Sequence, residues 1–165
     1  DNSRPWRRKY LGTLQSAYRK APCYKDCIGM IEEVIAGSWE RLVDLNLRLI
    51  EVFAAACSIS TRTILASEIE TGDATGSDLI LELSCKTSAT TYVSGPDGRN
   101  YLDLDAFDQA DISVAYHDFQ HPEYQQLHLP FQSHTSVIDF LMNYSERELV
   151  RSCYLTPISR SQSEE

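Results

Sequence analysis

The stretch Tyr92-Val93-Ser94-Gly95-Pro96-Asp97-Gly98-Arg99-Asn100-Tyr101-Leu102 decides the fold class. It reads as a short strand running into a glycine turn. Beyond it, Ile112-Ser113-Val114-Ala115-Tyr116 alternates in polarity, as a strand with one buried face does. Asp103 is placed to cap a short helix through Asp108 between the two. Strand, helix, strand implies parallel pairing with helices covering the sheet. The second strand runs into His117-Asp118 and then His121-Pro122-Glu123-Tyr124-Gln125-Gln126. Polar chemistry just beyond strand ends is where open α/β sheets place ligands.

Working outward, residues 6–20 carry Trp6, Leu11, Leu14 and Tyr18 at roughly helical spacing, and Pro22 stops the segment. A second helix is predicted over 24–36, closed by Gly37. The longest runs over 39–57 with Ser38 as its cap, and Leu42, Val43, Asn46, Leu49, Ile50 and Phe53 as its buried stripe. Asn46 falls in mid-stripe, where an unpaired amide is costly, so it bonds either a neighbouring loop or a ligand. Residues 61–66 read as a strand, and a helix over 79–87 follows, capped by Ser77 or Asp78. Ser136 caps a helix over 137–143, and Ser145-Glu146-Arg147-Glu148 is a capping box for a last one. The order α-α-α-β-α-β-α-β-α-α makes a thin sheet of three strands.

A length of 165 residues suits one domain with room for a core. The expected organisation is a single domain over 1–155 and a polar tail over 156–165. No apolar run approaches the roughly 20 residues that span a membrane. The net charge of −9 argues against broad nucleic-acid binding. Arg4, Arg7, Arg8, Lys9, Arg19 and Lys20 nevertheless crowd the first twenty residues. Five cysteines at irregular spacing make a poor disulfide framework, so a cytoplasmic location is expected. Cys57 and Cys85 read as small core residues. Cys23 and Cys27 lack a second pair to complete a zinc site.

The candidate site residues follow from this placement. Gly95 lets the backbone approach a ligand, and Ser94 stands beside it. Arg99 offers a bidentate fork to a phosphate or carboxylate, unless Asp97 or Asp103 takes it. His117 is the general acid/base candidate, with Asp118 to orient it or to share the proton work. His121, Tyr124 and Gln125 supply an imidazole, a stacking face and an amide. No metal site is expected. Without a Walker loop or G-x-G-x-x-G the common ATP and NAD fingerprints are missing, and the cofactor is unknown.

Several motifs together resemble the WbqC-like protein family. Ala17-Tyr18-Arg19-Lys20-Ala21-Pro22 is similar to its aYrkaPyf segment, and Asp44-Leu45-Asn46 to its helix asparagine motif. Ser94 to Leu102 resembles SGxxGrxYL, His121 to Gln126 resembles hPxYxQ, and Ser136 to Leu141 resembles lSviDlL. The resemblance covers roughly residues 5–144. It implies a bacterial protein of a surface-polysaccharide or specialised-metabolite pathway, without a defined reaction. The family's opening strand and HQPNYxPW-like motif are not present here.

The fold expected is therefore α/β: a three-layer Rossmann-like, nucleotidyltransferase-like parallel sheet with helices, short of its N-terminal strands. The favoured activity is a transferase-type enzyme that binds an anionic activated small-molecule donor. A non-catalytic assembly partner, or a hydrolase using Ser94 or a cysteine, are the alternatives. The partners expected are a small-molecule substrate, no nucleic acid and no membrane, with a homo-oligomer as an option.

Overall fold

The computed structural model describes residues 2–117, 119, 121–144 and 159–160. The helices are α1 (Trp6–Tyr18), α2 (Tyr24–Ala36), α3 (Leu42–Ala56), α4 (Gly76–Lys86), α5 (Leu104–Gln109) and α6 (Val137–Asn143). The strands are β1 (Thr91–Ser94), β2 (Ser113–Tyr116) and β3 (Ser159–Arg160). Short 3₁₀ turns occupy Ala66–Glu68 and Pro96–Asn100. The protein is mixed α/β, mostly helical, with a small parallel sheet.

Two compact units divide the chain. The first takes residues 1–60 and 121–154, and the second takes 61–120 and 155–165. In the first, Cys27, Ile28, Ile31, Val34 and Ile35 recur at helical spacing along α2 and are all buried. They meet Leu14 of α1, Leu45 of α3, Tyr124, and Phe140, Leu141 and Met142 of α6 in one apolar core. Backbone and thiol tie α2 to α6: the Cys23 N–H donates to Met142 O (2.9 Å), and Cys27 Sγ donates to Leu141 O (2.8 Å). Ser136 caps α6 as expected, its hydroxyl accepting from the Ile138 N–H.

Helix α3 starts at Leu42, three residues later than expected, because Trp39 folds back instead of opening it. The Trp39 indole N–H donates to Val34 O (2.6 Å) at the end of α2. Its ring lies so close to Gly37 that a Cβ there would stand 2.9 Å from Nε1. Arg7 completes the same helix end, donating to Ile35 O and Gly37 O. A cation there suits the partial negative charge of a helix C-terminus.

In the second unit, β1 and β2 pair in parallel, Thr91 opposite Ser113 and Ser94 opposite Tyr116. The crossover is α5, capped by Asp103, whose carboxylate accepts from the Ala106 N–H (3.1 Å). Phe107 of α5, Ile112, Val114 and Tyr116 form the core of this unit, with Ile80 and Leu81 of α4 against them. β3 adds to β2 in antiparallel sense. The second strand is more enclosed than its alternation suggested, since Ala115 is buried as well as Val114 and Tyr116.

Several expectations need correcting. Residues 61–66 form no strand: Thr61 to Ile64 are exposed and the segment runs into the 3₁₀ turn. β-branched content favours a strand only where a ladder partner and a buried face exist. The full three-strand parallel order is therefore replaced by one parallel pair. Ser77 does not cap α4, whose cap position is Thr75; the Ser77 hydroxyl accepts instead from the Asp103 N–H (2.9 Å). Cys57 is buried as expected, whereas Cys85 is exposed. The capping box at Ser145 lies outside the described residues.

Helices α3, α4 and α5 share one ending. Ser58, Ser88 and Asp111 adopt φ of 58°, 56° and 56°. The next residue's N–H returns to the helix each time: Ile59 to Ala54 O, Ala89 to Ser84 O, and Ile112 to Phe107 O. This is the Schellman pattern with a non-glycine residue at the left-handed position.

Candidate functional site

In the second unit, the carboxyl ends of β1 and β2 carry Ser94 and Tyr116 side by side. The Ser94 backbone carbonyl accepts from the His117 N–H (2.8 Å), which fixes where His117 leaves the strand. The His117 ring stacks on Phe119 with centroids 5.7 Å apart and 12° between planes. After Ser94 the chain turns at Gly95 into Pro96–Asn100, and this turn delivers Arg99 over β2. The Arg99 guanidinium lies 3.8 Å from the centre of the Tyr116 ring. Tyr116 is buried while Arg99 is exposed, so a fixed aromatic face supports a solvent-facing cation. Neither Asp97 nor Asp103 pairs with it: the ion pairs among the described residues are Arg41–Asp44 and Arg48–Glu51.

Ser94 itself faces inward. The residue is 2% exposed, and its hydroxyl donates to Gly95 O (3.0 Å) and sits where a Cβ on Gly98 would be. A nucleophile needs a base within hydrogen-bond reach, and this hydroxyl is instead bonded to its own backbone. Asp118 lies outside the described residues. Gly95 has open space around its Cβ position and φ of −68°, so the close approach belongs to Gly98.

In the first unit, the His121–Gln126 segment builds a buried polar network. Asp139 Oδ2 accepts from Tyr124 Oη (2.7 Å) and Gln126 Nε2 (2.8 Å), while Asn143 Nδ2 donates to Asp139 O (2.8 Å). Gln126 also clasps Gln132 from both ends, 2.9 and 2.8 Å. Asn143 Oδ1 accepts from the Leu127 N–H (2.9 Å). Burial, reinforced by the hydrogen bond to Asp139 and its charge, pushes the Tyr18 hydroxyl up to about 12. Burial likewise raises Tyr124.

Tyr124 therefore offers no stacking face. Phe140 and Phe131 meet its ring edge-on at 5.1 and 5.6 Å. Gln125 is exposed, and Gln126 is the amide turned inward. Sequence reasoning missed Gln126, Asp139 and Asn143. A signal existed: in extended chain, residues two apart share a side, which pairs Tyr124 with Gln126. His121 sits among Phe131, Tyr124 and His134, its ring 5.1 Å from that of His134.

Asn46 corrects the reading of α3. The buried face centres on Leu45, while Leu42 is 71%, Ile50 55% and Val43 45% exposed. Asn46 is exposed and makes no hydrogen bond among the described residues. It lines a cleft of about 560 Å³ within the first unit. The other walls are Asn2, Arg4, Trp6, Tyr10, Ile35, Trp39, Glu40, Arg41, Leu42, Leu45 and Leu49. Such a volume suits a small-molecule ligand.

Burial raises Cys23, with the Asp26 carboxylate adding to the effect, which disfavours the thiolate a cysteine nucleophile needs. No helix among the described residues is long and apolar enough to cross a membrane.

Comparison with known proteins supplies the family. Over 140 residues the chain is 28% identical to the uncharacterized protein Rv1507c of Mycobacterium tuberculosis. The match covers 84% of this chain and 60% of that protein, so the chain spans about three fifths of its relative. No solved structure matches the chain. The model of the WbqC-like protein family matches residues 1–151, and the chain belongs to that family.

Proposed function

We propose that this WbqC-like protein is a biosynthetic enzyme of transferase type, binding an anionic activated small-molecule donor in a surface-polysaccharide or specialised-metabolite pathway. The observation that carries the reading is Arg99: an exposed guanidinium with no carboxylate partner among the described residues, held 3.8 Å above a buried tyrosine at the ends of two parallel strands. A fork so placed suits a phosphate or carboxylate. In this reading Arg99 binds the anionic group and His117 with Asp118 handles protons in the second unit, while Asn46 and Arg4 serve as ligand contacts in the first unit's cleft. Ser94 and Gly95 shape the turn, and His121, Tyr124 and Gln125 support the neighbouring loop.

The parallel pair β1–β2 with its α5 crossover supports membership of a three-layer Rossmann-like sheet. The family match over 1–151 supports a single domain over 1–155, and a cytoplasmic location belongs to the same proposal.

Thermal-shift measurements with nucleotide sugars, nucleotides and acyl-CoA test the proposal. At least one donor raises the melting temperature, and Arg99→Ala and His117→Ala remove the shift while the proteins stay folded. If every donor leaves the melting temperature unchanged, the transferase reading is lost.

A non-catalytic assembly partner is the second reading. The exposed Leu42, Val43 and Ile50 on α3 favour it, since apolar helix faces are usually covered. Light scattering across a concentration series distinguishes self-association from a monomer.

A further inference from the structure

The polar groups around the first unit's cleft divide into two sets. One set is spent within the protein. The Trp6 indole N–H donates to Asn2 Oδ1 (3.1 Å), Asn2 Nδ2 donates to Trp39 O (2.7 Å), and the Trp39 N–H is taken by Val34 O. Arg41 gives its fork to Asp44 at 2.9 and 2.5 Å. The other set makes no hydrogen bond among the described residues: the Asn46 amide, the Tyr10 hydroxyl, the Arg4 guanidinium and the Glu40 carboxylate.

This division dictates what the cleft can recognise. With their N–H groups consumed, Trp6 and Trp39 present only ring faces and apolar edges. The Trp6 ring carries the Arg7 guanidinium at 4.6 Å and also lines the cleft. Flat aromatic walls bind planar rings by stacking. Asn46 rises beside Leu42 and Leu49 as an exposed amide, a donor and an acceptor side by side. Its complement is a ring edge that carries an acceptor next to a donor. Glu40 accepts from hydroxyls, and Arg4 binds an anion.

From this we infer that the cleft is a nucleotide site: a base stacks among Trp6, Trp39 and Tyr10 with its polar edge on Asn46, its ribose hydroxyls reach Glu40, and its phosphate meets Arg4. A volume of about 560 Å³ holds a group of that size. The inference rests on the reading of an anionic activated donor and names that donor as nucleotide-linked.

The two tryptophans of the chain both line the cleft, so their fluorescence reports on it directly. Titration with uridine 5′-diphosphate and adenosine 5′-monophosphate quenches that fluorescence saturably, whereas ribose 5-phosphate does not. Asn46→Ala weakens the nucleotide by about 10-fold, the loss of two hydrogen bonds. Asn46→Asp, of the same shape without the donor, weakens it as well. Arg4→Ala weakens it about fivefold and flattens its salt dependence. Nucleotides that shift the melting temperature without quenching, or that bind Asn46→Ala unchanged, overturn the cleft and leave the donor reading intact. Failure of every nucleotide to bind also overturns it, while a shift with a base-free anionic donor would keep the donor reading alive.

Discussion

The polar network around Asp139 and the turn around Arg99 come from motifs of the same kind, yet they use their polar groups in opposite ways. Asp139, Gln126 and Asn143 are at most 8% exposed, and each is bonded inside the protein. Arg99 projects into solvent with its charge unmatched among the described residues. The difference separates two reasons for a motif to exist. The first holds a loop onto a helix, and its groups are satisfied when nothing is bound. The second leaves its cation facing solvent on a buried aromatic ring, which is what the proposed anion site rests on.

Substitutions sharpen that contrast. Asp139→Ala takes the carboxylate acceptor from the buried Tyr124 hydroxyl and from the Gln126 amide, which keeps Gln132 O. It should destabilise the protein by about 3 kcal/mol or more in denaturant unfolding. If Asp139→Ala unfolds at the wild-type midpoint, the network is not what holds the loop. Gly98→Ala comes next, at about 2 kcal/mol, because the new methyl overlaps Ser94 Oγ and stands 3.0 Å from Ser94 Cβ and Leu102 Cδ1. A Ser94→Ala background should recover part of that loss, and a strictly additive double mutant would remove the steric explanation.

Alkaline pH probes the network more gently. Tyr18 stays neutral up to about 12 in the fold, whereas an unfolded tyrosine ionises near 10. The unfolded chain therefore releases its proton first, so the stability from this group is present below pH 10 and lost as pH rises towards 12. Tyr18→Phe should flatten that alkaline decline in a pH series of unfolding free energies. Arg99→Ala should change stability least, within about 0.5 kcal/mol as exposed positions usually do, while abolishing the donor-induced thermal shift. A large loss of stability there would make Arg99 a structural residue after all.

Much of this was legible in the sequence. The span 24–36, the caps Asp103 and Ser136, and the parallel pairing of the two signature strands follow from periodicity, short-range hydrogen bonding and crossover length, all local quantities. What was not legible depended on distant partners. Helix α3 has a wide apolar arc opposite its Asp44, Arg48 and Glu51 stripe, so its period could not choose between the faces of Leu45 and Asn46 within that arc, and packing against α2 made the choice. Residues 61–66 have strand-like composition but no ladder partner among the described residues. Period-two spacing puts Gln126 on the side of Tyr124, but that this side is the buried one is settled only once Asp139 arrives from α6.

The first unit is built from two separated pieces of chain, and this gives the molecule an order of assembly. The apolar cluster of the second unit is complete once residues 80–116 have been made. That of the first joins Leu14 and Cys57 to Tyr124 and Met142 across the intervening sixty residues 61–120. Contacts of long sequence separation form late, because the chain must first close the loop between them. During synthesis α1, α2 and α3 can pack on one another, but the part of their core that α6 covers stays uncovered until α6 emerges. A nascent chain halted before Met142 should be more vulnerable to proteases within residues 1–60 than within 76–116.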